Sequence, residues 1–357
     1  MSSRPNLRKR IALKLFSSLQ RDRIAEHKLR TLFWECTLRC NLKCRHCGSD
    51  CKHEAEQKDM PAEDFFRVLD AQVTPNVKPN KVMIILSGGE VLLRDDLEVI
   101  GASLYQRGYP WGIVTNGMAL TEERFHSLLK SGLRSITVSF DGFEEEHNYV
   151  RGSSQSFKNA LRAARLISHE PSVAYDIVTC VTPALIPRLE EFKEFLISEG
   201  ILRWRLFTIF PVGRAANDMT MQLCDADFRK LLEFIKLARK EGVMDISYAC
   251  EGFLGSFEGD VRRSFYNCSA GVSTASIRFD GAISGCTSIR SEYAQGNIYK
   301  DNFWDVWTNR FEGFRNREWA KKGECASCSM WQYCLGGGMH LRDNNGELLV
   351  CHYKRLG

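Results

Sequence analysis

Three cysteines in one short loop, Cys40, Cys44 and Cys47, stand at C-x3-C-x2-C spacing just after an apolar run at 31–35. Thiolates bind iron strongly. A loop of this length can present three of them to three corners of a [4Fe–4S] cube, leaving the fourth iron open to another ligand. The same segment also suits a structural zinc ion closed by Cys36, Cys51 or His53. A second set lies nearer the C-terminus: Cys268, Cys286 and Cys325-x2-Cys328-x5-Cys334, with Cys351 beyond. The last four thiolates can close either a zinc site or a fully ligated iron–sulfur cluster. The chain holds 14 cysteines in 357 residues. Lys14 interrupts the only early apolar run, which argues against an export signal and for a reducing cytoplasm. There, cysteines serve as ligands or catalytic groups more readily than as disulfides.

Three further motifs follow later apolar runs: Ser87-Gly88-Gly89-Glu90, Thr115-Asn116-Gly117 and Ser139-Phe140-Asp141-Gly142. Paired glycines allow close backbone approach, and Glu90 can pair with an ammonium group. Ser139 and Asp141 offer a hydroxyl and a carboxylate suited to a ribose. Singly, each motif is ordinary turn chemistry. Their common place at successive strand ends makes them one site, and a zinc ribbon would need none of them.

The elements that must carry these residues alternate. Apolar, β-rich runs at 31–35, 82–86, 112–115, 135–140, 176–181 and 204–210 are separated by helical patterns at 61–72, 96–107, 122–130, 156–168 and 187–198, with another at 225–240. Such alternation predicts βα crossovers and a parallel sheet, with chemistry at the C-terminal strand ends. Six units make a partial (β/α)6 TIM-like barrel over 31–245, behind a basic arm at 1–30. From 246 to 357 the chain turns rich in Gly and Cys, which predicts a loop-rich second domain.

The order Cys40-x3-Cys44-x2-Cys47, Gly88-Gly89-Glu90 and Ser139-x-Asp141-Gly142 resembles the radical S-adenosylmethionine (SAM) superfamily. The resemblance implies a [4Fe–4S] cluster whose open iron is chelated by SAM, reductive cleavage to a 5′-deoxyadenosyl radical, and hydrogen abstraction from a substrate. It also implies an external electron donor such as flavodoxin or ferredoxin. Residue by residue, Glu90 and the Gly88–Gly89 backbone take the methionine ammonium. Ser139 takes the ribose or carboxylate, with Asn116 and Asp141 at the same strand ends, and Arg151 is a further carboxylate candidate. His46 stands where the family has an aromatic residue near the adenine, and Val91 replaces a frequent proline.

The later cysteines, with Gly281, Gly296-Asn297-Ile298 and Trp307, resemble the SPASM extension of that superfamily, which carries auxiliary [4Fe–4S] clusters. The resemblance implies one complete auxiliary cluster on Cys325, Cys328, Cys334 and Cys351. Gly338 stands where a further ligand cysteine is usual, and no cysteine closely precedes Cys268. The site of Cys268 and Cys286 is therefore lost, converted, or completed by Cys250 or a histidine. Thr287 replaces the acid of sulfatase-maturing relatives, so that activity is not carried over. By analogy with the extension the substrate is a peptide or protein. The alternatives are a small porphyrin-like or sugar-derived precursor or, in another class, a zinc-dependent regulatory protein.

Charge bears on partners. Residues 1–30 carry a net +7 and the remainder −2. The body is therefore no basic nucleic-acid binder. No stretch approaches the ~18 apolar residues of a membrane span. Leu7, Ile11, Leu15 and Leu19, with Phe16, predict an amphipathic helix. Its apolar arc is expected either to pack on the barrel bottom or to lie on an anionic membrane surface.

Overall fold

The structure, a computed structural model, describes residues 3–53, 58–289 and 292–357. Seven parallel strands form the barrel wall in chain order: β1 (Thr31–Thr37), β2 (Met83–Gly88), β3 (Trp111–Thr115), β4 (Leu133–Ser139), β5 (Ala174–Val181), β6 (Arg203–Thr208) and β7 (Asp245–Tyr248). Each of the first six falls on an apolar run expected from the sequence. The seventh, Asp-Ile-Ser-Tyr, is too short and too polar to announce itself; it is held by pairing Ile246 with Trp204 and Tyr248 with Leu206. The sheet is open, as a partial TIM-like barrel requires. Its first strand is flanked by β8 (Thr274–Ile277), which runs parallel to it, and β9 (Ala282–Ser284) and β10 (Gly296–Asn297) continue antiparallel. One ten-stranded sheet thus runs through barrel and C-terminal segment, and β7 spans residue 246, where the composition changes.

Alternation of side chains puts Leu32 and Trp34 of β1, Ile84 and Leu86 of β2, and Ile136 and Val138 of β4 fully into the core. The crossover helices close over them. α1 (Leu7–Glu26) precedes the barrel; α2 (Ala62–Val68), α3 (Leu97–Gln106) and α4 (Glu122–Lys130) follow β1, β2 and β3. Between β4 and β5 lie two helices, α5 (Glu144–Arg151) and α6 (Ser156–Ser168), followed by α7 (Leu189–Ser198) and α8 (Asp225–Glu241). The sequence reading missed α5, which has no apolar stripe. Glu144, Glu145 and Glu146 in its first turn, Arg151 in its last and Gly152 at φ 70° beyond it supply dipole complement and a left-handed cap instead.

The arm corrects an expectation. Residues 7–26 are helical, but Leu7, Ile11, Leu15 and Leu19 face outward, with exposures of 71%, 55%, 66% and 55%. The opposite face is buried. Leu13 packs with Phe253, Tyr266 and Met330, and Phe16 meets Phe265 edge-on at 5.5 Å. Lys9 donates to the Ser256 carbonyl and pairs with Asp260 at 3.1 Å. The helix therefore packs on the C-terminal segment, not on the barrel bottom. Among the described residues, no helix is long and apolar enough to cross a membrane.

Candidate active site

The cysteine loop leaves β1 and is fastened to each strand end around it. Thr37 and Arg39 both bond Asp59, the guanidinium in a two-pronged pair. The N–H of Gly89 donates to the Thr37 carbonyl and that of Glu90 to the Arg39 carbonyl, each at 2.8 Å. This approach is why the motif needs glycine. Gly88 has φ +135°, and a Cβ there would lie 2.1 Å from the Thr37 oxygen; one on Gly89 would lie 2.1 Å from the Arg39 oxygen. Beneath them the Glu90 carboxylate is fully buried and accepts from Thr115 Oγ1 (2.7 Å), the Asn116 N–H (2.7 Å) and the Leu92 N–H (3.0 Å). Burial raises its pKa despite those donors. Glu90 thus ties β2 to β3, and the Gly-Gly backbone above it faces the loop.

Two donors reach the thiols themselves. Asn116 Nδ2 lies 3.9 Å from Cys40 Sγ and also donates to Asn41; Arg151 Nη1 lies 3.7 Å from Cys44 Sγ. Both would steady thiolate charge. Burial pushes Cys40 up to about 11 and raises Cys44, whereas a hydrogen bond from Cys51 lowers Cys47 to about 5. From the turn after β6, Arg214 donates to the carbonyls of Cys44 (2.7 Å) and Cys51 (3.1 Å), and its own N–H to that of Cys47 (3.0 Å). Nothing in the spacing of the cysteines pointed to Arg214.

Asp141 and Arg151 form a buried pair at 2.6 Å. Burial acts to raise the Asp141 pKa, but Arg151 and its neighbours outweigh it and the carboxyl is held low. The other Asp141 oxygen accepts the Cys180 N–H, and its own N–H donates to His147 Nδ1. Asp141 therefore spends its lone pairs inside the protein, orienting Arg151, while Ser139 sits half-buried beside it at the end of β4. His46 Nε2 lies 3.8 Å from Asp141, and burial lowers the imidazole to about 4, so it is neutral near pH 7. The sequence-derived residues of the strand ends are thus gathered around one loop.

The later cysteines separate into two groups. Cys325, Cys328, Cys334 and Cys351 all line one small cavity of about 30 Å³. Arg342 Nη2 stands 3.8 Å from Cys325 Sγ, and burial raises Cys334 to about 12. Cys268 and Cys286 line a second cavity, of about 170 Å³, together with Cys250, His46, Cys180 and His340. Its remaining wall includes Phe207, Ile209, Phe210, Val212 and Met339. This cavity reaches from the cysteine loop to the auxiliary thiols.

The spacing of the sulfurs tests the two metal readings. Tetrahedral zinc with Zn–S near 2.3 Å needs sulfurs about 3.8 Å apart. Among the described residues, the one trio with ligand atoms all within 4.8 Å is His46, Asp141 and Cys180. Among the described residues no trio from the three cysteine groups is that tight, so none is preformed for a single tetrahedral ion. Three thiols in the loop and four around the small cavity are the donor numbers of an open and a fully ligated iron–sulfur cluster.

Residues 34–197 match the radical SAM superfamily, and 268–329 match the SPASM iron–sulfur cluster-binding domain. The chain is 26% identical over 350 residues to an AdoMet-dependent heme synthase of Nitratidesulfovibrio vulgaris, covering 90% of this chain and 91% of that one. It is 27% identical over 317 residues to the mycofactocin maturase MftC of Mycolicibacterium smegmatis, covering 86% and 77%. The fold matches that of Streptococcus suis SuiB bound to S-adenosylmethionine with a TM-score of 0.67, at 21% identity over 87% of this chain and 73% of that one.

Proposed function

Because the chain belongs to the radical SAM superfamily and carries a SPASM iron–sulfur domain, we propose that it removes a hydrogen atom from a side chain of a peptide or protein. The cluster-bearing thiols in this reading are Cys40, Cys44 and Cys47. A [4Fe–4S] cluster held there would, when reduced and with SAM bound, supply the electron for SAM cleavage to a 5′-deoxyadenosyl radical. The protein does the rest by placement. The Gly88–Gly89 backbone, held by Glu90, receives the methionine ammonium; Arg151, aimed by Asp141, receives its carboxylate; Ser139 receives the ribose. Asn116 steadies Cys40, and His46 flanks the adenine. Cys325, Cys328, Cys334 and Cys351 would hold an auxiliary cluster, which would supply a relay for electrons from a small donor protein.

One observation carries the substrate reading: the cavity beside the cysteine loop. Its wall is apolar and aromatic at Phe207, Ile209, Phe210, Val212 and Met339; among the described residues its lining holds no lysine or arginine, and its one carboxylate, Glu251, is buried. Such a wall excludes water from the radical and receives an uncharged side chain without cost. A carboxylate would enter unpaired, which is expensive. The maturase relative fits this reading. A second reading, a tetrapyrrole substrate, is favoured by the heme synthase relative that matches nearly the whole chain.

The test begins with the reduced, anaerobically prepared protein and SAM. Release of 5′-deoxyadenosine by the unmutated chain and none by Cys40→Ala/Cys44→Ala/Cys47→Ala is the expected result; equal release by both sinks the radical SAM reading. Iron coproporphyrin III is then added as a probe. No rise in 5′-deoxyadenosine is expected, and a several-fold rise replaces the peptide reading with the tetrapyrrole one.

A further inference from the structure

Gly338 removes a cysteine from the usual ligand set, yet the space it leaves is taken. A Cβ built on Gly338 would lie 2.6 Å from His340 Cε1 and 2.8 Å from His340 Nδ1. The imidazole of His340 therefore stands where a side chain at 338 would point. The chain reaches this place through three consecutive left-handed residues, Leu335, Gly336 and Gly337, with φ of 49°, 79° and 78°. They turn it from Cys334, in the four-thiol cavity, to His340, in the cavity lined by Cys250, Cys268 and Cys286. Two glycines make that path accessible; a left-handed run of larger residues would be strained.

The fold also brings in the third thiol, Cys250, which the sequence offered only as a candidate. Cys250 lies two residues beyond the end of β7, and the pairing of β7 with β6 carries it to the wall where Cys268 and Cys286 lie. The neighbouring imidazoles are otherwise engaged. His352 lies 3.4 Å from Glu251 and 3.5 Å from Thr208 Oγ1, and His46 faces Asp141. Among the described residues, His340 has no hydrogen-bond partner, and its ring contacts Phe210 at 5.0 Å between centroids. Imidazole is an established ligand in place of thiolate on iron–sulfur clusters.

We propose that Cys250, Cys268, Cys286 and His340 ligate a second auxiliary iron–sulfur cluster, with the imidazole of His340 in the position left open by Gly338; the cluster takes the thiol-lined end of the cavity and leaves to the substrate the end at His46 and Gly48, beside the cysteine loop. The inference rests on reading the C-terminal segment as a cluster-binding domain. It does not depend on SAM cleavage, so the two are tested apart.

The experiment uses the full chain with the SAM-binding cluster removed, Cys40→Ala/Cys44→Ala/Cys47→Ala, purified without oxygen. Two four-iron auxiliary clusters predict about eight irons per chain; about four would overturn the proposal. Pulsed EPR of the reduced protein should show nitrogen modulation that changes when the histidines carry 15N and is lost on adding His340→Ala. Modulation that is absent at the outset, or that survives loss of His340, also overturns it. In case His340→Ala folds poorly, Gly338→Cys/His340→Ala puts a thiolate into the vacated space. That variant should keep about eight irons and lose the nitrogen signal; retention of the signal refutes the assignment. Release of 5′-deoxyadenosine by the unmutated chain reports separately on the SAM site.

Discussion

Gly89→Ala should be among the most damaging single-methyl changes in the barrel, although it touches no side chain. The added Cβ would sit 2.1 Å from the Arg39 oxygen, 2.7 Å from its carbon and 2.9 Å from the Leu38 carbon. All three are backbone atoms, so no rotamer change relieves the overlap. The β2 end and the cysteine loop must part by roughly 1 Å, and overpacking of this kind costs about 1–3 kcal/mol. Parting them loosens the Gly89 N–H to Thr37 and Glu90 N–H to Arg39 hydrogen bonds, at about 1 kcal/mol each. The total is about 3–5 kcal/mol. For a chain of this length that lowers Tm by roughly 4–7 °C.

The displacement is local as well as costly, because Arg39 adjoins Cys40. Iron at the SAM-binding site should therefore fall at least several-fold even at temperatures where the variant stays folded. Gly48→Ala is the control: it lies next to Cys47, but a Cβ there meets nothing within 4 Å and its φ is ordinary. The assay is iron and sulfide per chain, with thermal unfolding, in a background where Cys325, Cys328, Cys334 and Cys351 are intact. Gly89→Ala matching Gly48→Ala in both iron and Tm would refute the close-approach argument.

Other expectations are more compact. Asp141→Asn leaves the Arg151 guanidinium buried without its partner, and should cost about 3–5 kcal/mol in denaturant unfolding; a loss below 1 kcal/mol would show that the pair is not the buried anchor described above. Leu13→Ala should cost about 2–3 kcal/mol and Leu15→Ala almost nothing, since Leu13 is 3% exposed and Leu15 66%; the reverse order would put the other face of α1 inward. Burial lowers His147 to about 3, where its Nδ1 accepts the Asp141 N–H, against about 6.5 unfolded. Both states are neutral above 6.5, so the effect is absent at pH 7. Below that the unfolded chain takes the proton, and about 2 kcal/mol of stability is lost by pH 5. Comparing unfolding at pH 7 and pH 5 in the native chain and in His147→Gln checks this, with a shallower loss expected in the variant.

What could be read from the residues alone divides along a physical line. The six longer barrel strands were legible because apolar residues concentrate where both sheet faces are covered, and the cysteine loop because its ligands are near neighbours in sequence. β7 and β8 were not. Each is four residues long, and Asp-Ile-Ser-Tyr and Thr-Ala-Ser-Ile become strands through pairing with Trp204 and Thr31 rather than by propensity. The apolar arc of α1 was visible, but a stripe says only that two faces differ. Phe253, Tyr266 and Phe265 decide which is buried, and they select the face of Leu13 and Phe16. The functional residues follow the same division. Glu90 and Asp141 were found by motif, yet their motifs did not disclose that one braces β3 and the other aims Arg151. Arg214 had no spacing to betray it, because a turn after β6 brings it in; Cys250 and an unspecified histidine were candidates from the sequence, but only the fold shows that Cys250 and His340 line the cavity of Cys268 and Cys286. Spacing finds ligands that share a loop. Residues that share only a cavity need the fold, and for that reason Gly338 left three outcomes open in the sequence, while the structure sets the imidazole of His340 against it.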